Sequence, residues 1–148
     1  MHKEGLYKRA EARFLAQLHG ADQLVPKMAT LVAALHEQIP YFNGCGFYFC
    51  EEPEMEVGPY QGKVVCAKIG YHGICGKAAK TGKAVIVADA KHYKERIICD
   101  EKTQSEMALP VYDPEKRLVA VFYAESHAKG SFDEEDAELI EHIFPLLF

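Results

Sequence analysis

Apolar residues recur along the first forty positions at the spacing of a helix. Tyr7, Ala10, Phe14 and Leu18 fall on one face of residues 3–19, which predicts an amphipathic helix there. Gly20 supplies a left-handed residue to stop it. A second stripe, Met28, Leu31, Val32, Leu35 and Ile39, predicts a helix over residues 24–39, with Pro26 in its first turn where the missing N–H costs little. After Pro40 the period falls to two. Residues 44–50 read as a strand, with Gly44, Gly46, Tyr48 and Cys50 on one face and Cys45, Phe47 and Phe49 on the other. The second set is core in character. The first leaves room for a ligand or a close backbone, because two of its positions lack a side chain.

The same reading predicts short strands at 55–57 and 63–69, the latter placing Val64, Cys66 and Lys68 on one face. Gly70, Gly73 and Gly76 punctuate a loop into a brief helix over 74–81, closed by Gly82, and a strand follows over 84–88. Residues 89–103 are irregular and charged. Two longer strands, 106–112 and 117–125, turn at Asp113-Pro114, and in the second Val121, Tyr123 and Glu125 share a face. Ser131-x-x-Glu134 has the form of a capping box opening a C-terminal helix that carries Ile140, Ile143, Phe144 and Leu147. Strands with helices segregated to the termini define an α+β class with an antiparallel sheet.

Length and charge narrow the function. A chain of 148 residues fits one domain, residues 1–148, that buries roughly 70% of its unfolded surface and needs no disulfide to fold. A net charge of −5 gives no basic footprint for nucleic acid. No apolar run approaches the ~18 residues of a membrane span, and Met1-His-Lys-Glu is no signal peptide, so a cytoplasmic location is expected. There a disulfide is usually transient and catalytic. Without His-Glu-x-x-His or a Gly-rich phosphate loop, neither a metal site nor a bound cofactor is expected.

Three of the five cysteines, Cys66, Cys75 and Cys99, lie between Gly62 and Glu106, and no Cys-x-x-Cys pair occurs. If these thiols cooperate, separate elements must bring them together. Local charge favours Cys75 as the reactive thiol, since it sits near the start of a short helix whose dipole favours a thiolate. Cys99 is flanked by Asp100 and Glu101, offset in part by Lys94, Arg96 and Lys102.

Several short patterns run in order from Gly46 to Asp136. They are Gly46-Phe-Tyr, Gly58-Pro-Tyr-Gln-Gly62-Lys, Cys66, Gly73-Ile-Cys75-Gly, Ile98-Cys99-Asp, Ser105-Glu106-Met-x-Leu-Pro and Phe132-x-x-x-Asp136. With them the chain resembles the GAF fold and, within it, the free methionine-(R)-sulfoxide reductases. The gap between the first two cysteines is one residue shorter than in that family. The resemblance implies a six-stranded antiparallel sheet flanked by N- and C-terminal helices, and a homodimer. It also implies reduction of free methionine-(R)-sulfoxide, or a related small sulfoxide, with thioredoxin as reductant. Cys99 then matches the nucleophile, Cys66 the resolving thiol and Cys75 a relay, while Glu106, Glu125 and Tyr48 match pocket positions. A neighbouring pair of carboxylates would push one pKa upward, as an acid for the sulfoxide oxygen requires. Two positions depart from the family. Gly44 stands where it has a tryptophan, and Tyr123 where it has an aspartate. The tryptophan's loss is expected to open space that Tyr123 partly refills. A non-catalytic GAF sensor of small molecules and a thiol-based redox sensor are the alternative functions.

Overall fold

In the computed structural model, which describes residues 2–63 and 65–148, two helices lead the chain, α1 (Lys3–Gln17) and α2 (Leu24–Gln38). The first stops two residues short of the expected end, because both His19 and Gly20 take left-handed conformations, with φ of 48° and 76°. The strands β1 (Gly44–Phe49), β2 (Met55–Gln61), β3 (Lys68–Ile69), β4 (Val85–Val87), β5 (Ser105–Tyr112) and β6 (Leu118–Ser126) follow. The helix α3 (Ile74–Thr81) lies between β3 and β4, and α4 (Glu134–Ile143) closes the chain with a 3-10 turn, Phe144–Leu147. All strand pairs are antiparallel, in the order β3-β2-β1-β6-β5-β4. Among the described residues no helix is long and apolar enough to cross a membrane.

The alternation in β1 and β6 sorts the sheet into two faces. Cys45, Phe47, Ala120, Phe122 and Ala124 point to a core shared with Phe14 of α1, Leu31 and Leu35 of α2, and Ile140 and Ile143 of α4. Tyr48 and Val121 point the other way, to a smaller cluster with Ile74, Cys75 and Ala78 of α3; Cys66, Cys99 and Tyr123 pack against it.

Three local expectations give way. β2 continues through Gly58-Pro59 to Gln61, because it bulges there, with the three steps from Val57 to Tyr60 facing the two from Tyr48 to Gly46 of β1. A Cβ on Gly46 would lie 2.6 Å from Cβ of Tyr60, so only glycine lets the two strands approach there. The strand expected over 63–69 shrinks to Lys68–Ile69, and Cys66 lies in irregular chain beside the sheet edge. Val64 and the strand face assigned to it lie outside the described residues. The cap of α4 is Asp133, not Ser131. Burial of the Phe132 ring fixes how the chain enters the helix, and the Asp133 carboxylate accepts from Glu135 N–H at 3.0 Å and Asp136 N–H at 3.4 Å. Ser131 instead pairs with the Ser126 hydroxyl at 2.7 Å.

Asp136 gathers the ends of the chain. Its fully buried carboxylate accepts from Tyr7 Oη at 2.7 Å, Tyr41 Oη at 2.5 Å, Lys3 Nζ at 2.6 Å and the Asp133 N–H at 2.8 Å. Burial and the Asp136 charge push both tyrosine hydroxyls above their ordinary range, so they remain donors. Four donors converge on one carboxylate and tie α1, the α2–β1 link and α4 together. Removing the acceptor strands two phenols and an ammonium. Asp136→Ala is therefore expected to lower the unfolding free energy by about 3–5 kcal/mol, with Asp136→Asn losing less, as measured by urea denaturation. A loss below about 1 kcal/mol would mean that the network contributes little.

Candidate active site

Strand register builds the floor of a cavity on the α3 side of the sheet. Gly44 of β1 lies opposite Glu125 of β6, and Glu125 lies opposite Glu106 of β5. One row on, Gly46 faces Tyr123, which faces Ala108. Side chains of one row share a face, so the two carboxylates and the Tyr123 ring enter the same space. The cavity is lined by Gly44, Tyr48, Cys75, Cys99, Glu106, Tyr123 and Glu125 among others, within largely apolar walls that include Val57, Ile74 and Ile97. A second cavity lies against it, sharing Ile97, Asp100, Thr103 and Glu106.

Cys66 is joined to Cys99 by a disulfide, with Cα atoms 5.4 Å apart across 33 residues of sequence. Both cysteines lie outside helices and strands, so neither is held by a ladder. The Tyr48 hydroxyl donates to the Cys66 carbonyl at 2.9 Å, so this cavity aromatic also anchors the chain beside one half of the disulfide. Its ring meets that of Tyr123 edge-on, with centroids 6.3 Å apart.

The helix-dipole case for Cys75 fails. Cys75 is the second residue of α3, yet it is 3% exposed, and burial followed by the charges of Glu106 and Cys50 pushes its thiol well above the ordinary range. A helix N-terminus contributes ~0.3–1 kcal/mol, which is small beside the several kcal/mol cost of a buried anion. Cys75 is a neutral thiol as it stands.

The carboxylates behave as their placement requires. Burial, then the Glu125 charge, raises the pKa of Glu106 to about 7, with Arg96 opposing. Burial also raises Glu125, although Thr103 and His127 oppose it. The Thr103 hydroxyl donates to Glu125 Oε2 at 2.6 Å, and His127 Nε2 lies 3.6 Å from Oε1. The space above Gly44 is not open, since a Cβ there would lie 2.9 Å from Glu125 Oε1. The carboxylate of Glu125 covers Gly44, whereas Tyr123 packs against Tyr48 one row on.

Thr103, Asp100 and His127 were not legible as site residues from sequence. Asp100 reads as an unhelpful charge beside Cys99, and Thr103 as loop. His127 carries one overlooked signal. Continuing the alternation of Tyr123 and Glu125 by two residues places it on the same side.

With the sheet order and the cavity in place, the chain belongs to the GAF domain family, whose pattern matches residues 26–146. Some of its relatives bear the name of a particular enzyme. It is 29% identical over 139 residues to the free methionine-R-sulfoxide reductase of Escherichia coli, covering 93% of this chain and 84% of that one. The structure of the free methionine-R-sulfoxide reductase from Neisseria meningitidis in complex with its substrate is similar at a TM-score of 0.89 and 27% identity, covering 99% of this chain and 89% of that chain. A putative GAF sensor protein from Burkholderia vietnamiensis is also similar, at a TM-score of 0.87 and 29% identity, covering 97% and 94%.

The raised pKa of Glu106 makes a prediction about stability. A carboxyl raised from 4.5 to about 7 on folding contributes stability that is fully present below 4.5 and lost as pH rises through 7. Glu106→Gln is therefore expected to match the wild type near pH 4 and to exceed it at pH 8, by about 3 kcal/mol in urea denaturation. Equal pH dependence of the two proteins would place the ionisation elsewhere.

Proposed function

We propose that this chain is a single-domain, thioredoxin-dependent reductase of free methionine-(R)-sulfoxide, working as a cytoplasmic homodimer. One observation carries the reading. A Cys66–Cys99 pair close enough to bond stands against a cavity that also holds a buried acid, Glu106, whose pKa lies near neutrality. The names of the relatives support the substrate.

The Cys99 thiolate attacks the sulfoxide sulfur while protonated Glu106 gives its proton to the sulfoxide oxygen, forming a transient adduct with a Cys99–methionine S–S bond and an S–OH group. The hydroxyl passes to the Cys99 sulfur as the adduct's S–S and methionine S–O bonds break, so methionine leaves with the electron pair and Cys99 becomes a sulfenic acid. The Cys66 thiol then displaces that oxygen as water and closes the disulfide. A thioredoxin dithiol supplies two electrons and two protons to restore both thiols, with Cys75 able to relay. Glu125 receives the substrate ammonium.

Cys99→Ser is expected to abolish methionine release even in a single turnover, and Cys66→Ser to release about one methionine per site and then stall. Mass spectrometry of a single-turnover quench distinguishes them. A full burst from Cys99→Ser, lost instead in Cys75→Ser, would transfer the nucleophile to Cys75. Supplying R and S methionine sulfoxide separately with a thioredoxin-regenerating system tests the substrate. Turnover of neither isomer would favour the non-catalytic sensor.

Tyr123 bears on affinity. It replaces a carboxylate suited to the ammonium of a free amino acid with a neutral hydroxyl, which burial and then Glu106 keep protonated. Tyr123→Asp is expected to lower the Michaelis constant for the R isomer by about ten- to a hundred-fold, the worth of one charge-assisted hydrogen bond. An unchanged or higher constant would mean that this chain binds the amino group without position 123. The companion change Gly44→Trp is a poorer probe, since it must first displace the Glu125 carboxylate.

A further inference from the structure

We propose that His127 is a positioning residue for Cys99, acting through Asp100 to hold the nucleophile's loop against the cavity. The inference rests on the reductase reading given above.

Residues 93–101 form no helix or strand. Hydrogen bonds tie the loop to the 3-10 turn Ala90–His92 just before it, with Tyr93 N–H donating to the Ala90 carbonyl at 3.2 Å, Arg96 Nη1 to the Lys91 carbonyl at 2.8 Å and Lys91 Nζ to the Glu101 carbonyl, and others are internal. Arg96 N–H donates to the Tyr93 carbonyl at 3.3 Å, and Lys102 N–H donates to Asp100 Oδ1 at 2.9 Å. Thr103 and Gln104 fix only its exit, through Glu125 and the Ser126 carbonyl at 2.6 and 2.8 Å. Among the described residues, the hydrogen bond that joins residues 93–101 to the sheet side of the cavity, beyond residues 90–104, is Asp100 Oδ2 with His127 Nε2, at 3.1 Å. In the disulfide form the loop also has its covalent tie to Cys66. Once that bond is reduced, as it must be before attack, the bonds to the Ala90–His92 turn hold the start of the loop and the Asp100–His127 contact holds the end that carries Cys99.

His127 is suited to this task because its own backbone is anchored. Its N–H donates to Asn43 Oδ1 at 2.8 Å, immediately before β1. A continuous path therefore runs from the β1–β6 junction through His127 to Asp100, whose peptide neighbour is Cys99. The imidazole also lies between two acids, with Glu125 Oε1 3.6 Å from the same nitrogen. The Asp100 charge is among the influences that raise Glu125, so the two carboxylates interact, and without the imidazole their repulsion drives the loop outward. Burial alone would raise Asp100, but the Lys102 N–H and His127 outweigh it and hold its carboxyl below the ordinary range. Asp100 thus stays an acceptor for the imidazole at neutral pH.

The test uses reduced, full-length protein carrying His127→Ala or His127→Gln. His127 is partly exposed, so both variants are expected to fold. In single-turnover reactions with the R sulfoxide, the saturating rate of methionine release is expected to fall about ten- to a hundred-fold in His127→Ala, the effect of misplacing an attacking atom by about 1 Å. The half-saturating concentration stays within about threefold, because Glu125 keeps its Thr103 bond. His127→Gln retains a donor for Asp100 and is expected to recover most of the rate. In an Asp100→Ala background, His127→Ala adds less than about twofold. A second readout needs no sulfoxide. The equilibrium of the Cys66–Cys99 pair with oxidised and reduced glutathione is expected to shift about tenfold towards the dithiol in His127→Ala, or about 30 mV. A saturating rate or glutathione equilibrium within twofold of wild type overturns the proposal, as do equal losses in the Ala and Gln variants. If the wild type releases no methionine, the reductase reading fails, and the glutathione equilibrium alone decides for or against the clamp.

Discussion

The antiparallel pairing of β1 with β6 is the constraint on which the rest of this structure depends. Each strand alternates strictly, and the register Gly44–Glu125, Gly46–Tyr123 and Tyr48–Val121 aligns the two alternations. One set of side chains closes a dry core beneath α1, α2 and α4, and the other opens a cavity beneath α3. A slip of one residue would send Phe47 and Phe122 into the cavity and the Glu125 carboxylate into the core. The aromatic packing on the first face, with Phe47 and Phe122 centroids 5.4 Å apart, therefore also specifies the chemistry on the second.

That arrangement sets burial against charge throughout the cavity, and magnitude decides which prevails. Burial wins at Cys75, whose place at a helix start would otherwise favour a thiolate. At the carboxylates burial and mutual repulsion act together, because Glu106 and Glu125 are direct cross-strand partners. Asp136 is the contrasting case on the core side. It too is completely buried, but Tyr7, Tyr41, Lys3 and a backbone N–H all donate to it. A carboxylate with four donors is a structural tie, and one left facing a like charge is a titrating acid.

The Cys99 loop gains its place from contacts that span the chain. Thr103 bonds Glu125 across 22 residues, and His127 bonds Asp100 across 27. Cys66 has moved off the strand geometry expected for it, and Tyr48 holds its carbonyl. The disulfide thus joins two segments that are free of the sheet but tethered close beside it.

Much of this was written in local pattern. The stripes of α1 and α2, the alternation of β1 and β6 and the helix start near residue 134 depend on side chains a few positions apart, and such periodicity survives in one dimension. The ordered short motifs likewise carried the GAF family and the six-stranded sheet. Other features are non-local and were decided by the tertiary structure. Glu106 and Glu125 become partners only through β5–β6 register. Cys75 loses its dipole advantage only when α3 packs onto the sheet. Gly44 looks empty in the sequence, yet a carboxylate from another strand covers it. The cap of α4 moved to Asp133 because a buried Phe132 ring determined where the helix could begin. In each case the deciding energy comes from desolvation or from a partner distant in sequence, and neither is present until the sheet has formed.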